Sequence, residues 1–107
     1  MKKLTEEEFQ NLMQQFIDAW GVEGQKLLAI EEMAELTQVL AKHLWRDKDD
    51  EEKAAEYEQR IREEIADVLI TVAQMRYVFG ADEVDKCIDR KLQRGADRLE
   101  EWKKEQK

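Results

Sequence analysis

The sequence predicts an all-α protein: a four-helix bundle-like domain that associates into oligomers. Three observations point there. The 107 residues contain no proline and four glycines. Apolar residues recur three and four positions apart along most of the chain, the spacing of one helix face. The chain is 42% hydrophobic and 41% charged, too apolar to stay disordered and suited to long amphipathic helices. A single domain, 1–107, is expected at this length. So short a chain buries only about two-thirds of its unfolded surface, and association is a common remedy for a thin core.

The first helical segment is expected from about Glu6 to Trp20. Thr5 is its N-cap, and Glu8 completes a capping box. Phe9, Leu12, Met13, Phe16, Ile17 and Trp20 form its apolar stripe, after which Gly21 and Gly24 punctuate the chain. The second segment runs from about Gln25 to Trp45. Its leucines, isoleucine, methionine and valine cover nearly the whole circumference, so it is expected in the middle of an assembly. The charged run Arg46–Glu52 reads as a connection. It carries Asp47 and Asp49 but lacks the glycine a calcium loop needs at its sixth position, where Glu52 stands. The third segment starts near Asp50 and ends at Phe79, with Gly80 as stop signal. The fourth spans about Glu83 to Lys104 with Asp82 as its cap, and carries a narrower stripe of Val84, Ile88, Leu92 and Leu99.

Charge excludes several function classes. A net charge of -8 disfavours a nucleic-acid polymer as partner, since that surface needs clustered Lys and Arg. No apolar run approaches the roughly 18 residues of a membrane span. The N-terminal MKKLTEEEF meets acids rather than a signal-peptide core. The lone Cys87 cannot form an internal disulfide, and a cytoplasmic location is expected. One histidine and one cysteine make Ser-His-Asp or Cys-His catalysis unlikely on composition.

The informative residues are acids. Glu32 and Glu35, and again Glu64 and Asp67, stand three apart, so each pair shares one helix face. Leu28, Leu36 and Val39 fall on the face of the first pair, and Val68 and Met75 lie close to Glu64. Acids set into apolar faces are costly unless paired or bound to a cation. Four carboxylates meeting between two helices would repel one another, and a hard divalent cation removes the conflict. Oxygen-only ligands favour magnesium, manganese or calcium. A di-iron bundle would require two E-x-x-H motifs, and the only histidine, His43, has leucine at position 40.

The pattern Glu31-Glu32-Met33-Ala34-Glu35, a 28-residue spacer, then Glu64-Ile65-Ala66-Asp67 resembles the hallmark of the MazG-like nucleotide pyrophosphohydrolases, members of the all-α NTP pyrophosphatase superfamily. The segments WGVEGQ, AELTQVLAK and EEIADVLITV look like the small phage-type members, and the resemblance covers roughly Trp20 to Leu99. It implies a MazG fold, with Glu32, Glu35, Glu64 and Asp67 as ligands of magnesium or manganese. Glu31 would bind a second metal or orient water. It also implies that Lys91, Arg94 and Arg98, which share one helix face, hold phosphate oxygens. Gly95 departs from the asparagine of some relatives, and a mid-helix glycine costs about 1 kcal/mol against alanine. Trp20, Gln25, His43 and Trp45 are candidates for a base pocket, although core packing is the role expected first for Trp20.

The expected function is metal-dependent hydrolysis of nucleoside triphosphates, NTP or dNTP, to monophosphate and pyrophosphate, with housecleaning of non-canonical nucleotides as one role. A homodimer or homotetramer is expected. The alternative is a non-catalytic acidic helical assembly protein with a degenerate metal site. A further option keeps the fold but acts on a phosphorylated non-nucleotide.

Overall fold

The computed structural model describes residues 3–45 and 49–106, and for Trp45 the backbone alone. Residues 46–48 of the expected connection, Asp47 among them, therefore lie outside the described residues, as does the side chain of Trp45. Three helices follow in order: α1 (Glu6–Trp45), α2 (Glu51–Phe79) and α3 (Ala81–Glu105). No strand occurs among the described residues.

The first and second expected segments form one helix, α1, broken at Gly21, where φ is 79° and ψ 160°. The helix resumes at once, so Gly24 lies inside it, and the second arm starts at residue 22 rather than Gln25. Side chains essentially never adopt the Gly21 conformation. Nothing lies within 4 Å of a Cβ built there, so the demand for glycine is conformational rather than steric. Gly21→Ala should cost roughly 1–3 kcal/mol. At about 4–8 °C per kcal/mol for a domain of this size, the melting temperature should fall clearly. A Gly21→Ala variant melting with the wild type would mean that the break is dispensable.

The caps explain the helix starts. The Thr5 amide donates to Glu8 Oε1 at 3.0 Å, and the Glu8 amide donates to Thr5 Oγ1 at 3.1 Å. This is the reciprocal box expected from the sequence, and it satisfies donors that a helix N-terminus leaves orphaned. Hydrogen bonding of the Glu8 carboxyl to Thr5, by the Thr5 backbone amide first and then by its side chain, holds that carboxyl below its ordinary value. Asp50 caps α2 by accepting from the Lys53 amide at 3.1 Å. Gly80 (φ 105°) separates α2 from α3 and occupies the N-cap position of α3, with no side-chain cap bond. Asp82, expected to be the cap, sits in the first turn instead, where its negative charge still complements the helix dipole.

The chain divides into two compact units, Met1–Tyr77 and Val78–Lys107. In the first unit α2 runs antiparallel to the second arm of α1, as the pairings of Tyr57, Glu64 and Gln74 along its length show, and its end reaches the first arm. Tyr57 meets His43 edge-on at 6.1 Å between ring centroids. Glu64 lies beside Glu32 and Glu35. Gln74 shares a cavity with Gln25, and its Nε2 donates to the Met13 carbonyl of the first arm at 3.0 Å. Tyr77 Oη donates to Gln14 Oε1 at 2.7 Å.

The apolar core among the described residues is Met13, Ala29 and Val39. The second arm of α1 does not lie in the middle of the single chain. Leu27, Ile30, Met33, Leu40 and Leu44 are exposed, and so are Ile65, Leu69, Ile70, Val72 and Phe79 of α2. One arm and one facing helix can cover only one side of a helix that is apolar all round. In the second unit α3 carries no buried residue, and Ile88, Leu92, Leu99 and Trp102 are exposed along it.

Candidate metal centre and adjoining cavity

Helical spacing builds a seam from both partners. On α1, Gln25, Leu28, Glu32, Glu35 and Val39 recur at intervals of three and four. On α2, Glu64, Asp67, Thr71 and Gln74 do the same. Because the helices are antiparallel, the acids of one stripe meet the acids of the other, and the amide ends meet likewise.

At the acidic end, carboxylate oxygens of Glu32, Glu35 and Glu64 all lie within 4.8 Å of one another. Oxygens bound to one hard cation at about 2.0–2.6 Å are separated by no more than about 4–5 Å, so the cluster has the right size. Glu32 and Glu64 are half-buried, and one oxygen of each, Oε2, is inaccessible and has no hydrogen-bond partner. A buried carboxylate oxygen without a donor is unfavourable, and a cation is the partner that would relieve it. Both carboxyls are held above their ordinary value. For Glu32 the largest cause is desolvation, followed by the charges of Glu35, Asp67 and Glu64. For Glu64 it is again desolvation, then Glu35 and Asp67, with Arg60 partly opposing.

Three of the four expected ligands therefore come together. Asp67, exposed, stands outside the triad but close enough for its charge to act on two of its members. Its backbone is tied in, since the Thr71 hydroxyl contacts the carbonyls of Asp67 at 3.2 Å and Val68 at 3.0 Å. Glu31 is exposed and does not join the triad. It lines a cavity of about 360 Å³ with Trp20, Gly24, Gln25, Leu27 and Leu28.

These shifts give a pH dependence. A carboxyl raised in the folded state favours folding when protonated. That contribution is complete below the unfolded value of about 4.5 and is lost as pH rises through the higher folded value. Glu8 is lowered and acts oppositely: its contribution is present above the ordinary value and lost as pH falls through the lower one. The two effects occupy different windows. Chelator-treated protein should therefore gain melting temperature as pH falls from neutrality toward the ordinary carboxyl value, and the Glu32→Gln/Glu64→Gln double variant should lose that gain. Equal pH profiles for the two proteins would contradict crowding of these acids.

One to two turns along the seam lies a second feature. Phe16, Trp20, Gln25, Leu28, Ile70, Thr71 and Gln74 line a cavity of about 270 Å³. The rings of Phe16 and Trp20 stack at 5.6 Å with 29° between their planes. Gln25, Thr71 and Gln74 are the buried polar side chains of the described residues, and all three are in this wall. Leu28 is four residues from Glu32, and Thr71 is four from Asp67, about 6 Å along either axis.

Of the candidate base-pocket residues, Trp20 and Gln25 are thus brought together. Trp20 is 66% exposed, so the core packing expected for it is not found within the single chain. His43 stands 18 residues beyond Gln25, about 27 Å along the axis, against Tyr57 instead. Sequence reasoning missed Thr71, Gln74, Phe16 and Ile70 as cavity residues. The available signal was that Thr71 and Gln74 continue the spacing of Glu64 and Asp67. In the second unit, Lys91, Arg94, Gly95 and Arg98 together line a shallow, open cavity of about 270 Å³ on α3, as their shared face implied.

Comparison of the chain with protein-family models, with curated proteins and with solved structures finds no match.

Proposed function

We propose that this protein hydrolyses nucleoside triphosphates to monophosphate and pyrophosphate, as a MazG-like, metal-dependent pyrophosphohydrolase. The observation that carries the reading is the seam: a ring-sized aromatic cavity lies one to two turns from a cluster of three carboxylates. A nucleotide has the same layout, a flat base separated by a sugar from an anionic phosphate chain. An acidic cluster repels that chain unless a cation stands between them.

Glu32, Glu35 and Glu64 would hold magnesium or manganese, with Asp67 as the fourth acid. A cation held there supplies charge neutralisation of the phosphates and Lewis acidity toward the α-phosphate. Glu31, outside the triad, orients water or takes a second cation. On α3, Lys91, Arg94 and Arg98 offer a basic face suited to phosphate oxygens. Phe16 and Trp20 stack with the base. His43, about 27 Å along the helix from Gln25, is outside this cavity within one chain, and in an oligomer it would serve a neighbour's site.

The same reading takes the active protein to be a homodimer or homotetramer with a four-helix bundle as its core. The exposed Leu27, Ile30, Met33, Leu40 and Leu44 on α1 support this, because an arm so rich in exposed large apolar side chains is what a partner helix would cover. Light scattering tests it: a fully active 12.8 kDa monomer rules the assembly out.

The activity is tested with a panel of canonical and modified NTPs and dNTPs, with magnesium or manganese and no added pyrophosphatase. Pyrophosphate should be the primary product. Orthophosphate as primary product would overturn the cleavage position. Inertness toward the whole panel would favour an assembly role.

A further inference from the structure

We propose that Gln74 is a specificity-determining residue, and that the cavity it floors selects bases with an exocyclic amino group. The proposal rests on the base-site reading above and adds to it the chemistry of the preferred base. Gln74 is 1% exposed, and its Nε2 donates to the Met13 carbonyl at 3.0 Å. A carbonyl only accepts, so the orientation of the amide is fixed. Its other end, Oε1, is left buried without a partner. An unpaired buried acceptor is unfavourable, and a ligand donor would complete it.

The neighbouring wall has the same bias. The Thr71 hydroxyl, in the same wall, has its one proton committed to the carbonyls of Val68 and Asp67, so it brings no donor to compete for Gln74 Oε1. Phe16, Trp20, Leu28 and Ile70 give the cavity an apolar lining suited to the faces of a flat ring. At about 270 Å³ it is smaller than the roughly 300–1,000 Å³ of sites that enclose drug-sized ligands, so it takes one ring system and leaves the sugar outside. Because Gln74 is so nearly inaccessible, the ring atom that reaches it must project from the ring edge. An amino group there donates to Oε1. An oxo group would set acceptor against acceptor.

The test compares 5′-monophosphates in pairs that differ by the amino group alone: cytidine with pyrimidin-2-one riboside, adenosine with purine riboside, and guanosine with inosine. Binding is measured by calorimetry in magnesium buffer on wild type and Gln74→Met. In the wild type at least one amino-bearing partner should bind roughly tenfold to a hundredfold more tightly than its counterpart, the range set by an unmet buried hydrogen bond. In Gln74→Met that ratio should collapse toward one. The wild-type comparison stands even if the variant does not fold. Equal binding within every pair, or a ratio that persists in folded Gln74→Met, overturns the role of Gln74 and leaves the base site intact. No binding by any monophosphate overturns the base site and this proposal with it.

Discussion

Replacing Glu64 or Glu32 by glutamine should lower turnover by at least roughly a hundredfold. Groups that merely orient metal ligands typically contribute 10–100-fold, and a ligand itself should contribute more. The substitution keeps the shape and removes one negative charge from a cluster whose oxygens lie within 4.8 Å of one another. For that reason the metal-free variants should be as stable as the wild type or more so, since crowding and desolvation already oppose ionisation at both positions. Loss of activity with retained or raised metal-free stability is the signature of a binding site built against folding stability. Full activity in both variants would refute the ligand assignment. Strong destabilisation without metal would show that these acids hold the fold together.

The second large effect is thermal. A cation that binds only the folded chain stabilises it by about 2.7 kcal/mol at a hundred times its dissociation constant. For a domain of this size that corresponds to a rise in melting temperature of roughly 10–20 °C. Magnesium or manganese should produce it in the wild type. The Glu32→Gln/Glu64→Gln variant should show little of it, because two of the three clustered carboxylates are gone. A melt indifferent to millimolar magnesium and manganese would remove the metal centre from the account.

Local structure was the most legible part of the sequence. The Thr5–Glu8 box, the stop at Gly80 and the placing of Glu32 with Glu35 on one helix face follow from short-range spacing, and each is present, whereas the approach of Glu64 to them depends on α2 folding against α1. Gly21 was legible as punctuation but not as a one-residue break, because a single unusual φ/ψ pair leaves no trace in periodicity. The Asp82 cap was misplaced because Asp82 and Gly80 are both plausible at a helix start, and backbone geometry chose the glycine. The cavity was only half visible. Trp20 and Gln25 stood out by chemistry, but Thr71 and Gln74 look like ordinary polar residues until α2 is folded against α1. His43 was grouped with them by residue type, and helix length separates it. The second arm of α1 shows the limit of pattern alone: its all-round apolarity is plain in the sequence, whereas what covers it depends on packing beyond one helix pair.

The central claim is that the carboxylate cluster directs water to the α-phosphate of a nucleotide whose base sits along the same seam. It is tested most directly by hydrolysis in ¹⁸O-labelled water with mass spectrometry of both products, using the best substrate from the triphosphate panel. Attack at the α-phosphorus predicts the label in the nucleoside monophosphate and unlabelled pyrophosphate, with labelled product lost in Glu64→Gln. Label in pyrophosphate or orthophosphate, or labelled monophosphate at an undiminished rate in Glu64→Gln, would contradict it.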